Sequence, residues 1–183
     1  MSEGSFSRTR FTADEVLAMW EMGLFADRRV ELIDGDLIEM NPQGPVHANL
    51  TGLLHDLLVQ TYGPHHHVRD HSPVDISPHD QPEPDVALVR GARSRRMAHP
   101  QGHQLVLVIE VSSSTRDKDR KKAGVYARGG VPEYWLIDTE RRRLEVYRQP
   151  DGDEYRVRHV LDEDDRVRWP ERDDDVVVAE LLP

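Results

Sequence analysis

Leu105-Val106-Leu107-Val108-Ile109-Glu110-Val111-Ser112 is the stretch whose reading decides the fold. Apolar residues run without alternation up to Glu110. That is the pattern of a strand covered on both faces, and it places the segment in the middle of a sheet. A carboxylate inside such a run costs on the order of several kcal/mol unless a partner meets it. Upstream, Pro82-Glu83-Pro84-Asp85-Val86-Ala87-Leu88-Val89 reads as a neighbouring strand with Asp85 at its start. Downstream, Ser113-Ser114-Thr115-Arg116-Asp117-Lys118-Asp119-Arg120-Lys121-Lys122 supplies cations and a helix start. Two carboxylates on adjacent strands beside a lysine-rich helix make a candidate hard-metal site that faces phosphate.

The flanking segments fit around this pair. Thr12-Ala13-Asp14-Glu15 has capping-box spacing and opens a helix to about Met22. Arg29 to Met40 reads as a hairpin turning at Asp34-Gly35. A second helix spans His47 to Tyr62, with Leu50, Leu53, Leu54, Leu57 and Leu58 on one face, and Gly63-Pro64 ends it. His65 to His71 reads as a strand. A helix capped by Ser114 or Thr115 runs to about Arg128 and stops at Gly129-Gly130. Strands follow at Glu133–Asp138, Leu144–Arg148 and Glu154–Leu161. The acidic stretch from Asp162 reads as mostly irregular, with a last strand at Val176. The order is mixed α/β, and the 183 residues suit a single domain: an N-terminal helix and hairpin over 12–40, a core over about 47–148 and an acidic C-terminal part over 150–183.

Composition narrows the chemistry. The chain has no cysteine, which excludes disulfides, thiolate catalysis and zinc-thiolate sites. Neither a secretory apolar segment nor a bilayer-length apolar run is present, so a cytoplasmic protein with no membrane contact is expected. Net charge is −10, but it is unevenly spread: Arg90 to Arg143 carries 13 Lys and Arg against 6 Asp and Glu, and the remainder 11 against 28. The basic part is the part around the carboxylate pair, compatible with local binding of a polyanion on an otherwise acidic body.

Taken in order, several pieces resemble the PD-(D/E)XK nuclease superfamily and, more closely, its restriction-endonuclease-like Uma-two family. They are Val30-Glu31-Leu32-Ile33-Asp34-Gly35, Met40, His47, Pro82-Glu83-Pro84-Asp85, Val108-Ile109-Glu110-Val111-Ser112-Ser113-Ser114-Thr115, Lys122 with Tyr126, and Gly130 to Asp138. The resemblance covers roughly residues 12 to 148. It implies an α+β fold, a mixed central sheet flanked by helices, and a Mg²⁺ or Mn²⁺ ion held by Asp85, Glu110 and the Val111 backbone carbonyl. It implies hydrolysis of DNA phosphodiester bonds in a bacterial protein working as a homodimer, with contacts through the Tyr134-Trp135 strand or the N-terminal helix and hairpin. The alternative is a catalytically silent nuclease fold that binds nucleic acid or protein.

The superfamily pattern puts lysine two residues after the second acid, where this chain has Ser112. The cation is therefore expected on the following helix. Lys122 lies one turn before Tyr126 and shares its face, and Lys121, which shares a face with Val125, is the competing choice. Glu31 is a further acidic candidate, or else a solvent-facing hairpin residue. His47, at a helix start, either orients phosphate or water or makes a local hydrogen bond. His65, His66 and His67 alternate faces on a strand and cannot all ligate one ion. Arg93, Arg95 and Arg96 form a solvated basic loop or steer phosphate. Arg141 to Arg143 are exposed turn charge.

Overall fold

The computed structural model describes residues 8–93, 98–112 and 116–183, with the backbone alone for 116–119. The expected caps Ser114 and Thr115, and Arg95 and Arg96, lie outside the described residues.

The chain order is α1 (Ala13–Glu21), β1 (Val30–Ile33), β2 (Asp36–Glu39), α2 (Pro45–Tyr62), β3 (His66–Asp70), β4 (Val86–Arg90) and β5 (Leu105–Ser112). It continues with α3 (Arg116–Arg128), β6 (Glu133–Asp138), β7 (Arg143–Asp151), β8 (Glu154–Asp162), β9 (Arg166–Arg168) and β10 (Asp175–Val177). Six strands form one mixed sheet in the order β3-β4-β5-β6-β7-β8. Only β5 and β6 are parallel, and α3 supplies the crossover that a parallel pair requires. All eight residues of β5 are buried, as the unbroken apolar run predicts.

The two faces of the sheet carry separate cores. On one, Leu50, Leu54 and Leu58 of α2 pack on Leu88, Leu107, Ile109 and Trp135. On the other, Ala123 and Tyr126 of α3 pack on Ala87, Val108, Tyr134 and Leu136. Leu53 departs from the expected helix face: it is 55 % exposed, because the buried arc follows Leu50, Leu54 and Leu58, one turn apart, and leaves Leu53 to the side.

The largest difference from the sequence reading lies after Asp162. There β9 and β10 pair as an antiparallel ribbon, and Val167, Trp169, Val176, Val178, Leu181 and Leu182 insert into the α2-side core. Trp169 stacks on Trp135 with ring centroids 5.4 Å apart. Acidic residues between these positions conceal the apolar pattern in a composition average.

At the other end, Thr12 caps α1 as expected: the Glu15 amide donates to Thr12 Oγ1 (3.3 Å), and the Thr12 amide donates to Glu15 Oε2 (2.8 Å). The β1–β2 turn places Asp34 and Gly35 at φ 51° and 78°. Gly35 is needed twice over, since a Cβ there would also lie 2.6 Å from Arg10 Cβ. A small core of Val16, Phe25 and Leu32 joins α1 to the hairpin. A polar clasp ties the hairpin to the sheet: Asp80 Oδ1 accepts from the Asp34 amide (2.7 Å), and Arg128 bridges Asp34 (2.6 Å) and Asp80 (3.3 Å).

Candidate active site

Register places the two acids together. Val86 pairs with Ile109 at the last rung of the β4–β5 ladder, so Asp85 and Glu110 are the next residue on each strand. The Asp85 carbonyl accepts from the His71 amide (3.2 Å), so Asp85's own backbone groups face β3 and those of Pro84 face β5. The rung that would join residue 84 to Val111 cannot close normally, because proline has no N–H to offer the Val111 carbonyl. The Val111 amide donates instead to Asp85 Oδ2 at 2.7 Å. Amide and carbonyl of one strand residue point to the same side, so the Val111 carbonyl is directed toward Asp85 as well.

Around Glu110 the geometry comes from α3. Lys122 and Tyr126 lie one turn apart and both reach Glu110 Oε1, Lys122 Nζ at 2.9 Å and Tyr126 Oη at 2.8 Å. Lys122 Nζ also lies 2.8 Å from Glu31 Oε2, which accepts from the Glu83 amide (3.3 Å). Glu31 is buried and turned toward the sheet, while its neighbour Leu32 packs toward α1. Lys121, the competing choice, is exposed, whereas Lys122 is buried.

His47, in the first turn of α2, brings Nε2 to 3.0 Å from Asp85 Oδ2. Gln43 donates through Nε2 to Asp85 Oδ1 (3.4 Å) and lies 2.9 Å from His71 Nδ1. Neither Gln43 nor His71 is among the site residues that the sequence suggests. Nothing local signals either one: Gln43 comes from the loop before α2 and His71 from the end of β3, and the fold alone joins them.

The electrostatics follow. Burial works against the Asp85 carboxylate, but the His47 hydrogen bond and charge, the Val111 amide and the Lys122 ammonium outweigh it and hold its pKa below the usual value. Burial likewise opposes the Lys122 ammonium. The Glu110 and Glu31 carboxylates outweigh burial, and the pKa is raised, so the lysine stays protonated. Burial, then Glu110, pushes the Tyr126 phenol well up, so it remains a donor.

Ser112, at the superfamily's lysine position, is fully buried, and its carbonyl accepts from the Thr139 amide (3.0 Å). Of the other candidates, His67 bonds the Gly91 carbonyl and His66 packs edge-on against Tyr62, on opposite sides of β3. Arg93 is exposed. Arg141, Arg142 and Arg143 meet Asp138, Glu163 and Asp162. Tyr134 and Trp135, proposed as a contact between copies, are wholly buried in the two cores because β6 is an interior strand.

Whether this group suits a metal turns on its donors. Asp85, Glu110 and the Val111 carbonyl offer hard oxygens and no thiolate, which fits Mg²⁺ or Mn²⁺ with water or substrate in the remaining positions. Among the described residues, no group of three or more His, Asp and Glu side chains is arranged to hold an ion by itself.

A mixed sheet between helices, with acids converging where β4 and β5 part, defines a nuclease-type α+β fold. It matches the crystal structure of a protein described as "a putative nuclease belonging to DUF820" from Anabaena variabilis ATCC 29413. The TM-score is 0.72 at 20 % identity, over 93 % of this chain and 97 % of that one. Residues 14–172 match the Uma2 family model, described as "Putative restriction endonuclease", and the chain belongs to that family. No curated protein matches it. Among the described residues, no helix is long and apolar enough to cross a membrane.

Proposed function

We propose that the chain is a divalent-metal-dependent endodeoxyribonuclease. Asp85, Glu110 and the Val111 carbonyl would hold Mg²⁺ or Mn²⁺, and Lys122 would stabilise charge developing on the phosphate. Bound there, the ion would polarise the phosphorus–oxygen bond and lower the pKa of a water. The supporting observation is that Asp85, tied to the Val111 amide next to Glu110, lies beside a buried lysine that touches both Glu110 and Glu31. Glu31 holds the Lys122 ammonium at Glu110, and His47 orients the Asp85 carboxylate. The test is cleavage of plasmid or branched DNA with Mg²⁺ or Mn²⁺, beside Asp85→Ala and Glu110→Ala. Loss of cleavage in both variants is expected, and persistence in both would remove the assignment.

A homodimer in the cytoplasm belongs to the same proposal. The exposed Leu17, Trp20 and Met22 support α1 and the turn after it as the contact between copies. Sedimentation of Trp20→Glu against the parent chain tests this, with a shift to monomer expected. One observation favours the silent, binding-only reading: His47, Gln43 and the Val111 amide already occupy lone pairs of Asp85 that a metal would need. Calorimetry with Mg²⁺ separates the two, since heat that disappears in Asp85→Ala supports the enzyme.

A further inference from the structure

Resting on the nuclease reading, a further question is which group holds the substrate phosphate. The nearby cations are engaged: Lys122 lies between Glu31 and Glu110, and Arg29 is paired with Glu83. His47 turns Nε2 to Asp85, and Gln43 offers its amide nitrogen to both Asp85 and His71.

His71 is different, and hydrogen-bond logic fixes its tautomer. An ionised carboxylate only accepts, so the Gln43 atom facing Asp85 Oδ1 at 3.4 Å is its NH₂ group. The same nitrogen lies 2.9 Å from His71 Nδ1, whereas Asp85 Oδ1 is 3.6 Å from Nδ1 and beyond hydrogen-bond reach, so Nδ1 accepts from the amide and carries no proton. The ring proton is then on Nε2, which has no hydrogen-bond partner among the described residues, and the side chain is 26 % exposed. The backbone is held for this placement: His71 has φ 42°, a left-handed conformation uncommon for a side-chain-bearing residue, and its amide is pinned to the Asp85 carbonyl. His71 also lines a cleft of about 1610 Å³ that runs past Glu83 and Arg29 toward Gln81 and His103. One imidazole therefore links the candidate catalytic acid to the open groove.

The geometry points to His71 Nε2–H as the donor that binds a non-bridging phosphate oxygen of the nucleic-acid strand lying in this cleft. A neutral N–H suits the place, because it contacts phosphate without competing for the carboxylates that would hold the ion. Gln43 is the positioning residue that sets the tautomer.

The test uses the full chain. Anisotropy measures binding of fluorescent DNA with Ca²⁺ in place of Mg²⁺, and steady-state cleavage is followed with Mg²⁺. His71→Asn tolerates the left-handed backbone but is too short to reach. It is expected to raise Kd and KM about tenfold, the scale of one hydrogen bond to a charged group, with kcat within about twofold. His71→Gln restores reach and should recover most of the loss. Gln43→Ala should raise Kd and KM by releasing the tautomer, in the same direction as His71→Asn. Wild-type Kd and KM in both His71→Asn and Gln43→Ala, or a fall confined to kcat, overturns the assignment while leaving the nuclease intact. A folded parent chain that neither binds nor cleaves DNA removes both readings together.

Discussion

Glu110 and Glu145 are two buried glutamates on one face of the sheet, in one cross-strand row, separated by Leu136, which pairs with both. Each accepts from a tyrosine, Tyr126 or Tyr147, and each meets a cation from α3, Lys122 or Arg120. Their surroundings differ in charge. Glu145 stands alone against two guanidiniums, Arg120 and Arg158. Glu110 shares one ammonium with Glu31 and has Asp85 beside it across the strand gap. Planar guanidinium forks saturate a carboxylate and fix it in place, whereas a lysine is a point charge that leaves other oxygen lone pairs usable. The Glu145 cluster ties α3, β7 and β8 together, whereas the Glu110 cluster sets two carboxylates against a single ammonium.

Lys122 carries the largest expected effect. Lys122→Met leaves Glu110 and Glu31 facing one another, and chemical denaturation should show a loss of about 3–5 kcal/mol. Next, Trp169→Ala removes the ring stacked on Trp135 and should cost about 3–5 kcal/mol by thermal unfolding, with DNA cleavage by the remaining folded protein unchanged. Glu145→Gln should cost about 1.5–3 kcal/mol at neutral pH and leave cleavage intact. Burial alone would raise the Glu145 pKa, but hydrogen bonds from Arg120 and Tyr147 and the Arg158 charge hold it below the ordinary value. A depressed pKa gives stability that is present above the unfolded glutamate's pKa and lost as pH falls through the folded one. Stability curves of parent and variant should therefore converge as pH falls below the folded pKa. Gly35→Ala should lose about 1–2 kcal/mol, through its positive φ and the contact with Arg10, and shift Lys122 by loosening the Glu31 hairpin. Smallest of all, exposed Lys121→Ala should change stability by less than about 0.5 kcal/mol and leave cleavage alone.

Much of this was legible in the chain. The unalternating run into Glu110 marks an interior strand, and the Lys122–Tyr126 spacing marks a shared helical face that both residues turn to Glu110. Glu31 was not decidable from pattern, because β1 is covered on both sides and Leu32 and Glu31 are equally buried. Gln43 and His71 meet through tertiary closure, to which no local period corresponds. The C-terminal ribbon escaped because its apolar residues are few, spaced and embedded in acids, and propensity averages them away.

Pro84 carries a consequence for engineering. A residue with an amide there would let β4 and β5 zip one rung further and cap the Val111 carbonyl with a hydrogen bond. On the proposal that the Val111 carbonyl helps to hold the ion, Pro84→Ala should keep the fold yet bind Mg²⁺ more weakly in calorimetry. A search for sturdier variants that repairs every imperfect strand end would erase this vacancy, and selection by melting temperature alone would reward the loss.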